Sequence, residues 1–281
     1  YVLALRWVAL DPGDRSMVAI RALNHARSVA DAERALADFN VVTQSAVLAD
    51  ADGAIGFVVT GRMPLRDAQD TLRGIAPAPG WDARHDWQGY VPYADAPRTR
   101  DPAVGFVATA NHFIAGDGYA HHLGFDWAAP YRRQRIAQLL DAREKHDVAT
   151  MRAMQADIVS LPARQLMAHL RSAQPTSAAG RDALVRLVAW DGTMAVDRPE
   201  PLLFHAWRRA LTLRIFTDDF GELAPELVAT ADLTPALLRV LEGTAAARDW
   251  CDDRATAHRV ESCASLVTET LEQSVAGLVQ V

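Results

Sequence analysis

Hydrophobic periodicity changes once along this chain, near residue 128, and the change limits the folds open to it. Before that point, apolar residues come in short runs bounded by Pro, Gly and Asp, as strands and turns do. After it they recur every three or four residues in PYRRQRIAQLLDAR, HDVATMRAMQADIVSL, RDALVRLVAWDG and LLFHAWRRALTLRIF. Val148, Met151, Met154, Ile158 and Leu161, for example, trace one helical stripe. Strands followed by helices predict an α+β architecture rather than alternating βαβ units. We therefore expect a strand-rich portion over residues 1–127 and a helical portion over 128–281.

Within the first portion, YVLALRWVAL reads as a strand that Pro12, Gly13 and Asp14 break. SVADAERALADF starts at Ser28, a cap-type residue, and sets Val29, Ala32, Leu36 and Phe39 on one helical face. In QSAVLADADGAIGFVVTG two apolar runs flank Asp52-Gly53, which predicts a hairpin whose two central turn residues both have positive φ. Residues 64–103, rich in Pro, Asp and Arg, read as loop, and GFVATA as a last strand ending at Asn111.

The chain has 281 residues, half of them hydrophobic and 23% charged, which suits a globular protein with a sizeable core. Its net charge of −6, with dispersed arginines, implies no attraction to nucleic acid or anionic membranes. No apolar run is long enough for a membrane span. The chain opens directly in YVLALRWVAL and is expected to be a piece of a longer product. Cys251 and Cys263 lie close together in a helical-looking stretch, where free thiols and a disulfide are both open.

Several constellations have plain readings. ADADGAIG contains Asp-x-Asp-Gly, but the other ligands of a calcium loop are missing, so the hairpin reading stands. His112, His121 and His122 with Asp117 lack the spacing of zinc motifs, as do Cys251, His258 and Cys263. There is no G-x-S-x-G elbow, phosphate loop or dinucleotide fingerprint. Asn111, taken alone, reads as a turn former that tolerates left-handed backbone.

Five blocks in order carry a resemblance: ADADGAIGFVVTGRMPLR, DWQGYVPY, GFVATANHFI, PYRRQRIAQLL and LVRLVAWDG. Together they resemble the β-subunit of the penicillin acylase family of N-terminal-nucleophile (Ntn) amide hydrolases. The resemblance implies part of an αββα Ntn core followed by helices. It implies an amide hydrolase that cleaves its own precursor and works through an acyl-enzyme on a small acylated amide. Asn111 matches the asparagine whose side-chain amide holds the oxyanion. Arg132, or Arg133 if the loop before it is one residue looser, matches an arginine near the catalytic centre. Gln44 sits at an acyl-pocket position that is usually apolar, a departure from the phenylacetyl pattern, and Leu23 or a neighbour lines the same pocket. His112 stands where a second Asn is common.

The resemblance also implies that the chemistry needs no cofactor; the family often binds structural calcium, to which the backbone of Gly74 or the carboxylate of Asp117 or Asp126 would contribute. The nucleophilic Ser and the end of the β-subunit are expected outside this chain, as partner segments, so the chain alone is expected to be inactive. Periplasmic or secreted localisation follows on the same ground. The rivals are a non-catalytic binding or scaffold module that keeps the fold and a histidine-based metal-binding domain.

Overall fold

The computed structural model describes residues 2–244 and 249–279. The chain divides into two compact units, Tyr1–Arg133 and Gln134–Val281. All the strands among the described residues belong to the first.

In the first unit, α1 (Ser16–Leu23) and α2 (Val29–Leu36) precede a hairpin of β1 (Gln44–Ala49) and β2 (Ile55–Thr60). Ser28 caps α2 by accepting from the Asp31 N–H at 3.1 Å, as its position predicts. The Asp50 carboxylate then ties helix to hairpin, accepting from Val29 N at 3.0 Å and from Ala54 N at 3.0 Å. The hairpin forms in the register Gln44↔Thr60 to Ala49↔Ile55. Its loop is longer than expected: Asp50 N donates to Ala54 O, and of the two predicted turn residues only Gly53, at φ +93°, has positive φ.

β2 is the inner strand, and both of its faces are covered. Gly56 lets α2 close on one face, since a Cβ there would meet Val29 Cγ1 at 2.8 Å. On that face the buried Thr60 hydroxyl donates to Leu36 O. Phe57 and Val59 project the other way, into a core with Met63, Val91 and Ala96.

Residues 64–103, expected as loop, contain β3 (Pro64–Arg66), β4 (Trp87–Tyr90) and β5 (Arg98–Arg100). β3 pairs with β4, and β5 pairs with β2, both antiparallel. Strands of three or four residues are too short to show a period, which is why the pattern missed them. Two expected strands do not form. Residues 2–7 have no regular structure, Val8–Leu10 make a 3-10 turn, and Val2, Leu3 and Leu5 are exposed. GFVATA joins no ladder either. Alternation licenses extended backbone, but a strand also needs an edge to pair with.

α3 (Tyr131–Asp141) carries the chain across the division. The second unit continues with α4 (Val148–Gln155), α5 (Leu161–Leu170), α6 (Ala178–Ala189) and α7 (Glu200–Phe220). After these come α8 (Ala224–Thr230), α9 (Thr234–Leu241) and α10 (Cys263–Val279). The predicted stripe from Val148 to Leu161 breaks at Gln155: Ile158 lies outside any helix, Val159 bridges to Thr193, and Ser160 caps the next helix.

The core of the second unit follows helical spacing. Phe204, Trp207, Leu211 and Ile215 of α7 are buried, as are Leu266, Val267, Leu271 and Val275 of α10. Trp207 is fully covered and spends its indole N–H on Val267 O at 3.2 Å. Cys251 and Cys263 form a disulfide, with Cα atoms 5.1 Å apart. Cys251 lies in a turn rather than in a helix, a correction to the sequence reading. The disulfide also removes both sulfurs as metal ligands.

Candidate active site

Asn111 sits in irregular backbone that is nonetheless pinned on several sides. Its φ is +61°, the left-handed region that Asn tolerates better than most residues. Its carbonyl accepts from Ala128 N at 2.8 Å. Phe113 packs edge-on against Trp127, with ring centroids 5.3 Å apart, and the Trp127 indole donates to Gly124 O. Val107, Ile114 and Leu123 pack against the core built by β2, so the loop is anchored before, just after and beyond Asn111.

Arg132, at the start of α3, reaches this loop. Its Nη2 donates to Ala110 O at 2.8 Å and to Asn111 Oδ1 at 2.9 Å. One terminal nitrogen of a guanidinium carries two hydrogens, and here one goes to the backbone and one to the side chain of adjacent residues. That bridge sets the orientation of the Asn111 amide relative to its own main chain. A guanidinium has no acceptor, so the amide atom facing Arg132 is oxygen, and Nδ2 is the outward group. Nδ2 has no hydrogen-bond partner among the described residues.

Arg133 makes no such bond. Its charge acts on the neighbouring His112, whose pKa is lowered chiefly by burial and secondarily by Arg133. His112 is therefore neutral at physiological pH, and its Nδ1 has no partner among the described residues.

The remaining expected residues are not drawn into this cluster. Gln44 opens β1 at an exposed position paired with Thr60, and Leu23 closes α1, half-buried. Asp117 and Asp126 are exposed. Gly74, at φ +82°, lies in a turn against the Arg66 guanidinium. With one carbonyl from Gly74, the two carboxylates supply only part of the six to eight oxygens that calcium takes. His121 lies 3.7 Å from Asp95, and His122 packs on Phe125. Among the described residues these histidines form no metal-ligand cluster; the one such group is Asp249 with the two disulfide cysteines.

One polar centre went unseen in the sequence. Asp70, 1% exposed, accepts from His85 Nδ1 at 2.7 Å and from the backbone of Leu72 and Arg73. Arg66 Nη1 lies 3.5 Å away. Burial raises its pKa, but the His85 hydrogen bond, the Arg73 amide and the His85 charge outweigh burial and leave it lowered. The available signal was an Asp followed by a Gly four residues on, which resembles any turn.

Similarity to known proteins runs along the whole chain. The family model for penicillin amidase matches residues 1–281. The acyl-homoserine lactone acylase QuiP of Pseudomonas aeruginosa is 34% identical over 237 residues, 79% of this chain and 27% of that protein. The penicillin acylase 2 proenzyme of Pseudomonas sp. strain SE83 is 32% identical over 211 residues, 75% of this chain and 27% of its own length. The chain thus spans about a quarter of the length of these curated relatives. Among solved structures, a thermostable penicillin G acylase from Alcaligenes faecalis superposes with a TM-score of 0.72. At 20% identity it covers 95% of this chain and 52% of that one, so the two share an α+β fold.

Proposed function

The chain belongs to the penicillin amidase family, and on that premise we propose that it is part of a self-processing amide hydrolase. The enzyme releases an acyl group from a small acylated amide, of the penicillin, cephalosporin or acyl-homoserine lactone type, through a covalent acyl-enzyme. The observation that carries the reading is the 2.9 Å hydrogen bond from Arg132 to Asn111 Oδ1, which leaves Nδ2 turned outward as a donor.

A neutral amide N–H stabilises a developing oxyanion without titrating, and a loop pinned on both sides holds it in place before charge appears. One such donor is worth about 3 kcal/mol of transition-state stabilisation. In this reading Asn111 is catalytic, and Arg132 positions it. The nucleophile is a Ser outside this chain, freed at a new N-terminus with its own α-amino group as base. The chain's share of its relatives' length supports that placement, and in this reading the chain alone is inactive. The upstream and C-terminal segments are then its partners. The polar Gln44 opens β1 and argues against a phenylacetyl-shaped acyl pocket. The chemistry needs no cofactor; calcium, with Gly74, Asp117 or Asp126 contributing, has a structural role only. The Cys251–Cys263 disulfide supports a periplasmic or secreted setting. No helix among the described residues is long and apolar enough to cross a membrane.

The test is the intact mass of the complete gene product after expression. Two chains, the second beginning with Ser, Thr or Cys, are expected. One uncleaved chain from a folded preparation would overturn the reading in favour of a non-catalytic module, with Asn111 serving as a turn.

A further inference from the structure

A second feature of the first unit has the makings of a binding site that the proposed hydrolysis does not use. A cleft of about 230 Å³ is lined by Arg6, Trp7, Asn40, Arg62, Pro64 and Trp87, with Val8 and residues 41–43 completing its wall.

Strand β4 supplies the aromatic base for its two cations. The guanidinium carbon of Arg6 lies 4.6 Å from the Trp87 ring centroid, and that of Arg62 lies 5.3 Å from the ring centroid of Tyr90. Arg6 has neither an ion pair nor a hydrogen bond among the described residues. Arg62 has one carboxylate in range, Asp11 at 4.0 Å, and that carboxylate already accepts the Tyr90 hydroxyl. Stacking on a ring uses the face of a guanidinium and leaves its N–H edge free to donate.

Asn40 adds a third donor, and its environment makes it informative. The residue is only 8% exposed. Its Oδ1 accepts from Arg15 N at 2.8 Å, its N–H donates to Ser16 Oγ at 3.0 Å, and its carbonyl accepts from Arg62 N at 2.9 Å. Because a backbone N–H faces Oδ1, the remaining amide atom is Nδ2, which has no partner among the described residues. Nδ2 is not among the unpaired side-chain atoms sealed from solvent, so an incoming acceptor there takes the place of water.

We propose that this cleft binds a small organic carboxylate with one flat apolar ring, its oxygens taken by Asn40 Nδ2 and the Arg62 and Arg6 guanidinium edges, its ring against Trp7 and Trp87. Side-chain donors of one polarity dominate the wall, which selects an anion over a neutral or cationic ligand. The volume lies below the range typical of drug-sized ligands, which selects a single ring rather than a fused system.

Ligand-observed NMR titration of the 281-residue chain with benzoate tests the proposal, with benzamide and inorganic phosphate as comparators. Benzoate is expected to bind at least tenfold more tightly than either. Asn40→Asp keeps the acceptor for Arg15 N and replaces the free donor with a carboxylate, so it should weaken benzoate at least tenfold. If that variant is poorly folded, Arg62→Gln carries the same expectation, since the backbone bond to Asn40 is untouched. Benzamide binding as tightly as benzoate, phosphate matching it, or benzoate failing to bind at tens of millimolar each overturns the proposal. So does a folded variant that retains benzoate.

Discussion

Glu261 and Trp207 in the second unit and two asparagines in the first use their hydrogen-bonding groups in opposite ways. In the second, Glu261 is 1% exposed and fully engaged: it takes the Arg214 Nη2 at 3.1 Å, the Thr256 hydroxyl and the Asp253 N–H, all beside the Cys251–Cys263 disulfide. Trp207 spends its one donor on Val267 O. In the first unit, donors are left over. Asn111 holds its Oδ1 against Arg132 and keeps Nδ2 outward, and Asn40, which lines a cleft, holds its Oδ1 against Arg15 N and leaves Nδ2 unpaired among the described residues. Fully paired groups stabilise a fold; a held but unpaired donor stabilises only what binds to it. The contrast sets fully paired groups apart from amides held with a donor to spare.

The comparison predicts that damage to the second unit acts on stability. Trp207→Ala removes a fully buried ring and an indole hydrogen bond, and should destabilise by about 3–5 kcal/mol in denaturant unfolding. A loss below about 1 kcal/mol would mean that α7 and α10 do not form the core described. Replacing Cys251 and Cys263 together by Ala opens a short covalent loop and should cost about 2–3 kcal/mol in the same assay. No change there would remove the disulfide from the account.

In the first unit the readouts change. In the complete enzyme, Arg132→Ala should lower kcat on the order of tenfold at similar KM, since losing an exposed charged hydrogen bond costs about 1–2 kcal/mol. An equal rise in KM with kcat intact would make Arg132 a substrate ligand instead of a positioning residue. Asp70 sharpens the contrast through pH. Its pKa is depressed in the fold, so its contribution is present above the unfolded value near 3.9 and is lost as pH falls through the folded value. Asp70→Asn should therefore flatten the stability loss below about pH 4. An acid limb identical to that of the wild type would assign acid sensitivity elsewhere.

Much of this was legible in the residues because local rules carried it. Ser28 capping α2, the hairpin around Gly53 and the stripes of α6 and α7 each follow from a few neighbouring side chains. Asn111 and Arg132 emerged from the five-block resemblance, and their hydrogen bond then specified which amide atom faces outward. What stayed hidden depends on partners distant in sequence. In YVLALRWVAL the described residues 2–10 alternate as expected but pair with no strand. Asp70 is a buried anion only because His85, 15 residues on, returns to it. The Asn40 cleft needs Arg6, Arg62 and Trp87 from separate segments, and no spacing rule joins them.

The central claim is that Asn111 Nδ2 is a held donor for an oxyanion. Its most direct test is steady-state kinetics of the complete gene product with Asn111→Ala. The account predicts kcat lower by a factor of about 10² to 10³, with KM nearly unchanged and the fold intact by circular dichroism. An unchanged kcat accompanied only by a lower Tm would contradict it, leaving Asn111 a left-handed turn residue and nothing more.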